Sequence, residues 1–408
     1  MFILDSHRHE VTMNSVIVAD AFKRIFKRMV SMIRDEGRVL TQPDIPHAEP
    51  KMGKVAVIYT TPETVIEDYA RLLDLADYQT ALTPNLDTFL KVNISWQHYY
   101  PACSTAPWQI DGVAQKLRAD GFDKLTAAHN GTVVVNPVEG REKNKHKLVE
   151  DRLGLDHITL DVPPVKWVPY KPTAKMLVLD DVYKDGLYIP EVFPGTNIVQ
   201  LPTVKTHVFT TMTGALKNAF GGLLHRYRHW THSVIHETLV DLLQIQKEIH
   251  SGLFAVMDGT FAGDGPGPRA MRIHNKNVIL ASADQVAIDA VAAKMMGLDP
   301  MSIPMIRIAH EMGLGVGKPE EIEVVGDDIA DVNWNFAGNE STLASRGQKL
   351  IYHGPLKPLE GALLRSPIAP WAYWASNVYH NKFWLPMVGR KRVNEAMKTP
   401  WGKLFENY

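Results

Sequence analysis

The densest group of chemically capable residues lies in the run LPTVKTHVFTTMTGALKNAFGG, residues 201–222. Lys205 and His207 come at the carboxyl end of a predicted strand, the place where parallel sheets bind their ligands. An imidazole there can take a proton from a substrate, and a lysine can hold or exchange one. We therefore predict that both side chains are catalytic, with His207 as a base.

A predicted helix opens a few residues later, around Lys217 and Asn218. Backbone N–H groups at a helix start attract anions, and a lysine adds a positive charge or a reactive amine. This predicts that Thr213, Gly214, Lys217 and Asn218 bind a cofactor or an anionic substrate. The glycine spacing of a nucleotide-binding Walker loop is absent. The alternative is that Lys217 is an ordinary surface lysine.

Four histidines follow this segment. In an α-helix, His225, His229, His232 and His236 would lie at i, i+4, i+7 and i+11, which places them on one face. Imidazoles four residues apart can share a metal ion. We therefore predict a divalent metal site at His225, His229 and His232. The alternative is a polar helix face near the active site.

Other predicted strands also end in polar residues. His129 ends the strand KLTAAHNG and is a second candidate catalytic base. Lys91 and Asn93 end the strand that contains LKVN, and Asp258 and Asp264 belong to the Gly/Pro-rich segment VMDGTFAGDGPGP. Glycines in such a segment let the backbone approach a ligand closely. We predict that these four residues bind a cofactor, and the alternative for the Gly/Pro-rich segment is a tight structural connection.

The framework that must position these residues reads as alternating strands and helices, which is typical of βαβ units. We predict an α/β protein with two lobes, largely parallel sheets, flanking helices and an interlobe cleft. The predicted strands include KVAVIYTT, LDTFLKVNISW, KLTAAHNG, LDHITLDV, AKMLVLDDV and NIVQLPTVKTH. A helix over DGVAQKLRADG should end on Gly121, and Asp284 should cap the start of another.

The chain divides into four predicted regions. Residues 1–80 form an N-terminal helical extension with the first strand, and residues 81–230 form an α/β lobe with the strand-end site. Residues 231–330 form a second α/β segment, and residues 331–408 form an aromatic, basic tail. Residues 15–34 have the apolar spacing of an amphipathic helix with a basic side.

The last 38 residues, from Trp371, contain nine aromatic side chains, and the segment from Tyr352 onward carries eight basic and three acidic residues. We predict that this tail covers apolar surface, either on its own chain or on a second copy in a homodimer. The alternative is contact with a membrane surface.

Composition excludes several classes of protein. The 408 residues carry 44 basic and 45 acidic side chains, a balance that argues against a nucleic-acid binder. Cys103 is the only cysteine, which excludes a disulfide framework, a zinc ribbon and an intrinsic iron–sulfur cluster; we expect it to be an inert thiol. No apolar run reaches membrane-spanning length, and the N-terminus lacks a signal-peptide core. We expect a cytoplasmic protein, with peripheral membrane contact as the alternative.

The run LPxxKTHxxxxxTGAxKNxFG resembles the hallmark of an uncharacterised family, the domain of unknown function 362. LKVN, STAP at 104–107, VMDGTFAGDGPGP, ILASADQVAIDAVAAKMMGLDP and GLGVGKPEEIEVVGD resemble further family motifs, so the resemblance covers about residues 85–327. Many relatives carry ferredoxin-like cysteine-rich modules. Because this chain has a single cysteine, the resemblance implies a separate ferredoxin-like partner for any electron transfer.

His207 and Lys217 also resemble, more faintly, the core of lactate-racemase-like proteins. In those proteins a lysine holds a nickel-pincer nucleotide and histidines act as bases or as a metal ligand, so the resemblance implies that Lys217 is a covalent tether. Two departures argue against lactate as the substrate and put the tether in question. Ala215 and Leu216 replace glycines before the lysine, and the strand end near Lys91 lacks a carboxylate-binding arginine.

The sequence thus predicts an isomerase-like enzyme that moves a proton or hydride at carbon of a small polar or anionic substrate. Two alternatives stay open. One is a redox or maturation partner of a separate iron–sulfur protein, and the other is a non-catalytic module for membrane binding or assembly.

Overall fold

The structure is a computed structural model, and it describes residues 40, 45–131, 135–224, 228–338, 340 and 377–408. The chain forms two compact units, Met1–Arg38 and Val39–Tyr408, and all described residues belong to the second unit. The helix predicted at 15–34 and the candidate ligand His225 lie outside the described residues.

A large sheet runs through the second unit, with its main strands in the order β12-β1-β11-β10-β7-β2-β3-β4 and with β8 and β9 attached to β10. Most neighbours are parallel, and β11 is antiparallel to both of its neighbours. A separate hairpin joins β5 and β6. The strands are β1 (Lys54–Tyr59), β2 (Thr88–Val92), β3 (Leu125–His129), β4 (Asp156–Thr159), β5 (Trp167–Tyr170), β6 (Leu187–Pro190), β7 (Thr196–Leu201), β8 (Thr203–His207), β9 (Thr211–Met212), β10 (His250–Asp264), β11 (Arg272–Ser282) and β12 (Glu323–Gly326).

The α/β class with a largely parallel sheet, predicted from the alternation of elements, is confirmed. The strands that we divided between two lobes share this one sheet, because β7 pairs in parallel with the early part of β10. The later part of β10 extends past that pairing and takes β8 as its neighbour, with Gly263 opposite Lys205. This extension carries Lys205 and His207 beyond the carboxyl ends of β2 and β7.

Helices cover both faces of the sheet. They are α1 (Val65–Leu75), α2 (Tyr78–Ala81), α3 (Pro107–Ala119), α4 (Pro137–Lys143), α5 (His146–Leu153), α6 (Leu179–Val182), α7 (Gly214–Asn218), α8 (Phe220–Leu223), α9 (Ile235–Ile249), α10 (Gln285–Met296), α11 (Pro304–Glu311), α12 (Arg390–Met397) and α13 (Pro400–Asn407). Short 3₁₀ turns occupy Arg228–Val234, Pro300–Ser302 and Pro319–Glu321, and a π-type helix spans Tyr379–Gly389.

Alternation along the strands divides the core in two. In β1, Val55 and Val57 pack with α7 to α11, whereas Ala56 and Ile58 pack with α1, α3 and the C-terminal helices. This is the two-residue period of a strand that is buried on both faces. The sheet therefore has two sides, which we call the α9 side and the α3 side.

The predicted helix ends are present. Asp284 accepts hydrogen bonds from the N–H groups of Val286 (2.9 Å) and Ala287 (3.0 Å), so it caps α10. Gly121 follows α3 with a φ of +86°, a left-handed conformation that favours glycine at a helix end.

The strand predicted over AKMLVLDDV is wrong: residues 174–178 have no regular structure, and Leu179–Val182 form the short helix α6. The buried carboxylate of Asp241 on α9 accepts the N–H groups of Leu177 (2.7 Å), Val178 (2.9 Å) and Leu179 (3.0 Å). These donors are then not available to a neighbouring strand.

The C-terminal helices pack on the α3 side. Trp401 and Phe405 are buried, the Phe405 ring stacks on Tyr99 at 3.6 Å, and the Tyr408 hydroxyl donates to Asp111 at 2.8 Å. The described part of the aromatic tail thus covers apolar surface of its own chain. No helix among the described residues has the length and apolar character needed to cross a membrane.

Candidate active site

Lys205 lies on β8 and is fully buried. Its Nζ donates to the carbonyl oxygen of Cys103 and to the hydroxyl of Thr203, both at 2.8 Å. Burial lowers the pKa of Lys205 to about 8, and the nearby Lys217 ammonium adds to the effect. Two acceptors match the two N–H groups of a neutral amine, so the site stabilises a lysine that gives up its proton readily.

Lys217 lies on α7 and is half-buried. Its ammonium group is 4.9 Å from the centre of the Phe220 ring, a cation–π contact. Burial, followed by the positive charge of Arg228, lowers the pKa of Lys217 to about 8. Within the described residues, neither Lys205 nor Lys217 has a carboxylate partner. The predicted cofactor- or anion-binding role of Lys217 stays a prediction.

His207 ends β8 and faces the same group of charges. Burial, then Lys217 and His232, lowers the pKa of His207 well below its usual value, so the ring is neutral at pH 7. Its Nδ1 accepts from the backbone N–H groups of Phe209 (3.2 Å) and Thr210 (3.3 Å). An accepting Nδ1 places the ring proton on Nε2. His207 therefore offers a neutral N–H donor to a bound molecule.

A layer of polar side chains lies beneath α7 and α8. Lys91 Nζ donates to the Val92 carbonyl (2.9 Å) and to the Asn130 side-chain oxygen (2.8 Å). Asn218 Nδ2 donates to the Lys91 carbonyl (2.9 Å) and to the Gln200 side-chain oxygen (2.8 Å). Burial lowers the pKa of Lys91 to about 7. Asn218 thus ties α7 to the ends of β2 and β7.

Arg228 connects this layer with Lys217. Its guanidinium donates to the carbonyl groups of Gly131 and Gly221, and its charge lowers the pKa of both Lys91 and Lys217. A Cβ atom on Gly221 would lie 2.3 Å from Asn130 Nδ2, so glycine lets the chain approach this layer. We call Lys91, Lys205 and Lys217 the lysine cluster.

The start of α7 is already capped by a carboxylate of the chain. Asp289 on α10 accepts the N–H groups of Ala215 (2.6 Å) and Leu216 (3.1 Å). Gly214 has a φ of +64°, and a Cβ atom there would lie 2.3 Å from the Asp289 carboxyl carbon. Gly214 thus makes room for Asp289, and the anion site predicted at this helix start is filled. The hydroxyl of the neighbouring Thr213 is buried and has no hydrogen-bond partner within the described part of the chain.

The histidines do not form the predicted α-helical face where the structure describes them. His229 and His232 belong to the 3₁₀ turn Arg228–Val234, and α9 begins only at Ile235. His232 Nδ1 lies 3.1 Å from the carbonyl oxygen of His229 and therefore donates to it; burial lowers the pKa of His232 to about 3. The described residues contain no group of three or more His, Cys, Asp or Glu side chains placed to hold a metal ion.

His129 belongs to a different polar network. It follows Leu125 and Ala127 on β3, which face the α3 side, whereas Lys91 follows Phe89 on the opposite face. His129 Nε2 lies 2.9 Å from Glu150 Oε1 on α5, and Glu150 also pairs with Arg141. The structure thus brings His207, Lys205 and Lys217 together. His129 is held by Glu150 on the other face of the sheet; burial lowers its pKa, and the charge of Lys91 adds to this effect.

The two predicted aspartates are held by the protein itself. Asp258 accepts hydrogen bonds from the Tyr69 hydroxyl (2.7 Å), the Trp108 indole (2.9 Å) and the Thr260 hydroxyl (2.7 Å). Asp264 accepts from Arg272 at 2.8 Å and from the backbone N–H of residue 337 at 2.6 Å. These contacts give Asp258 a role in packing α1 and α3 onto the sheet, and give Asp264 a role in closing the β10–β11 hairpin.

Asn93 and Cys103 support the turn after β2. Asn93 accepts from the Ser95 hydroxyl at 3.0 Å, and its backbone N–H donates to Thr105 at 2.9 Å. The Cys103 thiol donates to the Pro268 carbonyl at 3.0 Å, and burial raises its pKa to about 11. A protonated, buried thiol is chemically inert, as expected.

The match to known families agrees with this geometry. Residues 88–294 match the family described as a domain of unknown function, DUF362. The protein belongs to the DUF362 family. The lysine cluster and His207 lie inside the matched residues, and so do Asp289 and Arg228. The resemblance inferred from the sequence motifs is thereby confirmed.

A thylakoid-associated protein of Synechocystis sp. is 30% identical to this DUF362 member over 121 residues. The matched part is 29% of this chain and 37% of that relative, so the chain spans little more than a third of the relative's length. No solved structure matches the chain.

Sequence reasoning missed three residues that shape the DUF362 site. Asp289 is the one charged residue in the stretch VAIDAVAA of α10, and that contrast was a usable signal. Gln200 precedes the LPTVKTH run in a strand that is buried throughout. Arg228 lies within the histidine run, and only the histidines of that run were considered as site residues.

Proposed function

We propose that this protein is an enzyme that binds a small anionic substrate beside Lys217 and moves a proton at a carbon next to a carbonyl group, an isomerase-like reaction. The observation that carries the proposal is the pair Lys205 and Lys217, which are buried or half-buried and have no carboxylate partner among the described residues.

A buried ammonium without a partner is unfavourable by several kcal/mol, because desolvation exceeds what neutral dipoles return. Proteins commonly pair such charges, so two unpaired lysines 12 positions apart in one cluster need a reason. An anionic ligand supplies it, since its charge offsets the desolvation of the ammonium groups. The lysine cluster is therefore electrostatically favourable when an anion is bound and unfavourable when the site is empty.

The protonation state of each side chain determines its role in the reaction. Lys217, with a pKa near 8, anchors the anion in its charged form; in its neutral form it accepts the proton from the substrate, and the charged Lys205 then holds the anion. The proton leaves the substrate carbon for the lysine amine, the C–H electron pair moves toward the carbonyl oxygen, and the Nε2–H of His207 donates to that oxygen. The carbon is planar at this stage, so return of the proton after the intermediate has turned its other face to the lysine, with the electron pair moving back from the oxygen, completes an isomerisation.

This assignment gives His207 the role of hydrogen-bond donor and moves the base to a lysine. The lone pair of His207 Nδ1 already accepts two backbone N–H groups, so that nitrogen is poorly placed to take a proton. Lys205 lies behind Lys217 and is fully buried, so we assign it to holding positive charge at the site.

The nickel-pincer interpretation fits these residues poorly. Asp289 occupies the N–H groups of Ala215 and Leu216 that would otherwise receive a phosphate group at the start of α7. We therefore derive no step through such a nucleotide and assign Lys217 as an electrostatic anchor and not a tether. Mass spectrometry of the peptide containing Lys217, from natively produced protein, should show an unmodified lysine.

Calorimetric binding of sulfate and malonate tests the anion site. Binding should take up protons, which is seen as a dependence of the heat on the ionisation enthalpy of the buffer. Lys217→Met and Lys205→Met should weaken binding by at least tenfold, whereas the exposed Lys124→Met should not. Binding that is unchanged in both cluster variants would refute the site.

Deuterium exchange tests the chemistry. A panel of small 2-oxo and 2-hydroxy acids is incubated in D₂O with the wild-type protein and with His207→Asn. We expect exchange at the carbon next to the carbonyl group with one member of the panel, and a loss of about 100-fold or more in the variant. Exchange that proceeds equally in His207→Asn would remove His207 from the mechanism.

A membrane-peripheral location is a second proposal. The described helices do not span a membrane, and a relative from Synechocystis sp. is named as thylakoid-associated. We infer that this protein also works at a membrane surface, and the exposed apolar part of its tail supports this inference.

A further inference from the structure

We propose that the C-terminal π-type helix docks the protein on a membrane surface that carries anionic lipids. The docking surface, which we call the tail surface, consists of Phe383, Met387 and Val388 with the neighbouring Lys382, Arg390 and Lys391. This inference deepens the proposed membrane-peripheral location by naming its contact surface, and it does not depend on the chemistry of the lysine cluster.

The apolar part of the tail surface is unusually exposed. Phe383 is 56% and Met387 is 77% exposed, and Val388 adds to the same patch. In a π-type helix, whose hydrogen bonds join residues five apart, positions four and five apart share one face. Other exposed large apolar residues, such as Leu177 and Met312, belong to segments on the α9 side and are not part of this patch. A contiguous exposed apolar patch marks an interaction site.

The opposite side of the π-type helix is anchored to the protein. The Trp384 ring lies 5.7 Å from Tyr100 and 6.2 Å from Trp96, and the Trp96 indole donates to the Asn381 side chain at 2.7 Å. These contacts fix which face points inward. Phe383 and Met387 are therefore held outward by the packing of their neighbours.

The charged residues around the apolar patch indicate which kind of surface it binds. Between positions 377 and 394 the chain carries four basic residues and no acidic residue. Lys382, Arg390 and Lys391 are exposed, and Arg392 is tied to the Met271 carbonyl at 2.7 Å. Apolar side chains rimmed by basic groups are the pattern of proteins that insert into the interface of an anionic bilayer.

A groove beside the tail surface is suited to a lipid headgroup. It has a volume of about 800 Å³ and lies between the β10–β11 hairpin and α12. Its lining contains Lys391 and the apolar side chains of Met387 and Val388, together with the acidic Glu395, and its Arg272 is already paired with Asp264. A headgroup phosphate would therefore bind at the exposed Lys391, while its acyl chains lie beside Met387 and Val388.

Vesicle co-sedimentation of the full chain tests the proposal. One set of vesicles is phosphatidylcholine alone, and the other is an equal mixture of phosphatidylcholine and phosphatidylglycerol. We expect binding to the mixed vesicles only, weakened by salt. The variant Phe383→Ser/Met387→Ser should bind at least tenfold more weakly. Lys382→Gln/Arg390→Gln/Lys391→Gln should lose about fivefold per basic residue, roughly 100-fold in total.

Leu177→Ser/Met312→Ser is the matched control, because it removes two exposed apolar side chains from segments that pack on the α9 side, whereas the tail surface is on the α3 side. It should bind as wild type, and thermal melting should show that every variant stays folded. Wild-type protein that binds neither vesicle would overturn the membrane location itself. If the tail variants bind vesicles as well as the wild-type protein does, the membrane location stands and the tail surface is not the contact site. If the wild-type protein binds no vesicles but self-associates, and the tail variants do not self-associate, the partner of the tail surface is a second copy of the chain and not a membrane.

Discussion

Replacing Lys217 by methionine should make the protein more stable and unable to hold its anion. Methionine has a similar length and no charge, so it keeps the packing against Phe220 while removing the half-buried ammonium. If a substitution stabilises the fold and removes function, the original residue lowers stability and is present because it binds the ligand.

The magnitude follows from the pKa of Lys217, which falls from 10.5 to about 8 in the folded protein. This shift corresponds to about 3 kcal/mol against folding, and the lost cation–π contact returns about 1 kcal/mol. We therefore expect Lys217→Met to gain about 2 kcal/mol at pH 7. The unfolded lysine keeps its proton up to about pH 10.5, so the gain should be complete below pH 8 and vanish as pH rises to 10.5.

Urea denaturation of wild type and Lys217→Met at several pH values between 7 and 10.5 measures this gain. Lys124→Met is the control, since Lys124 is exposed and should change stability by less than about 0.5 kcal/mol. A variant that is less stable than wild type at pH 7, or a gain that does not shrink at high pH, would refute the idea of a buried, uncompensated charge.

Three further substitutions probe the framework by thermal and urea unfolding. Gly214→Ala should lower the free energy of unfolding by at least about 2 kcal/mol, because it combines a left-handed backbone with a clash. Gly154→Ala, equally left-handed but in open space, should lower it by only about 1 kcal/mol. Equal losses would contradict the clash. Glu150→Gln should lose about 3 kcal/mol at pH 7 by leaving Arg141 unpaired, and a neutral effect would show that this pair is dispensable. Trp401→Ala should lose about 3 kcal/mol if the tail is part of the core, and no loss would detach the tail from it.

The sequence allowed the order of strands and helices to be predicted, because buried strands and amphipathic helices have different periods. It also identified His207, Lys205 and Lys217 as neighbours, since all three follow one strand. The single sheet was harder to predict. Nothing local shows that β10 is long enough to pair with β7 at one end and β8 at the other, because that depends on residues about 50 positions apart.

Two of the errors share one cause, which is capture of backbone groups by a distant carboxylate. Asp241 turned a predicted strand into α6, and Asp289 filled a predicted anion site from 74 positions away. Local patterns show where N–H groups need partners, but not which side chain will reach them. The histidine run failed differently, because its spacing fits an α-helix and the chain forms a 3₁₀ turn there instead.

The pH dependence of anion binding should report the lysine cluster directly. Sulfate keeps its charge throughout, and His207 is neutral throughout, so changes in sulfate affinity between pH 7 and 10 reflect lysines and Asp289. Because the pKa of Lys91 is about 7 and those of Lys205 and Lys217 are about 8, affinity should begin to fall near pH 7 and then fall roughly tenfold per pH unit for each lysine that loses its proton. Burial raises the pKa of Asp289 to about 8 as well, so its ionisation would weaken binding over the same range. Lys217→Met separates the two causes: the slope should become shallower if the lysine dominates and stay unchanged if Asp289 does. Wild-type affinity that is constant from pH 7 to 10 would show that the cluster does not bind the anion.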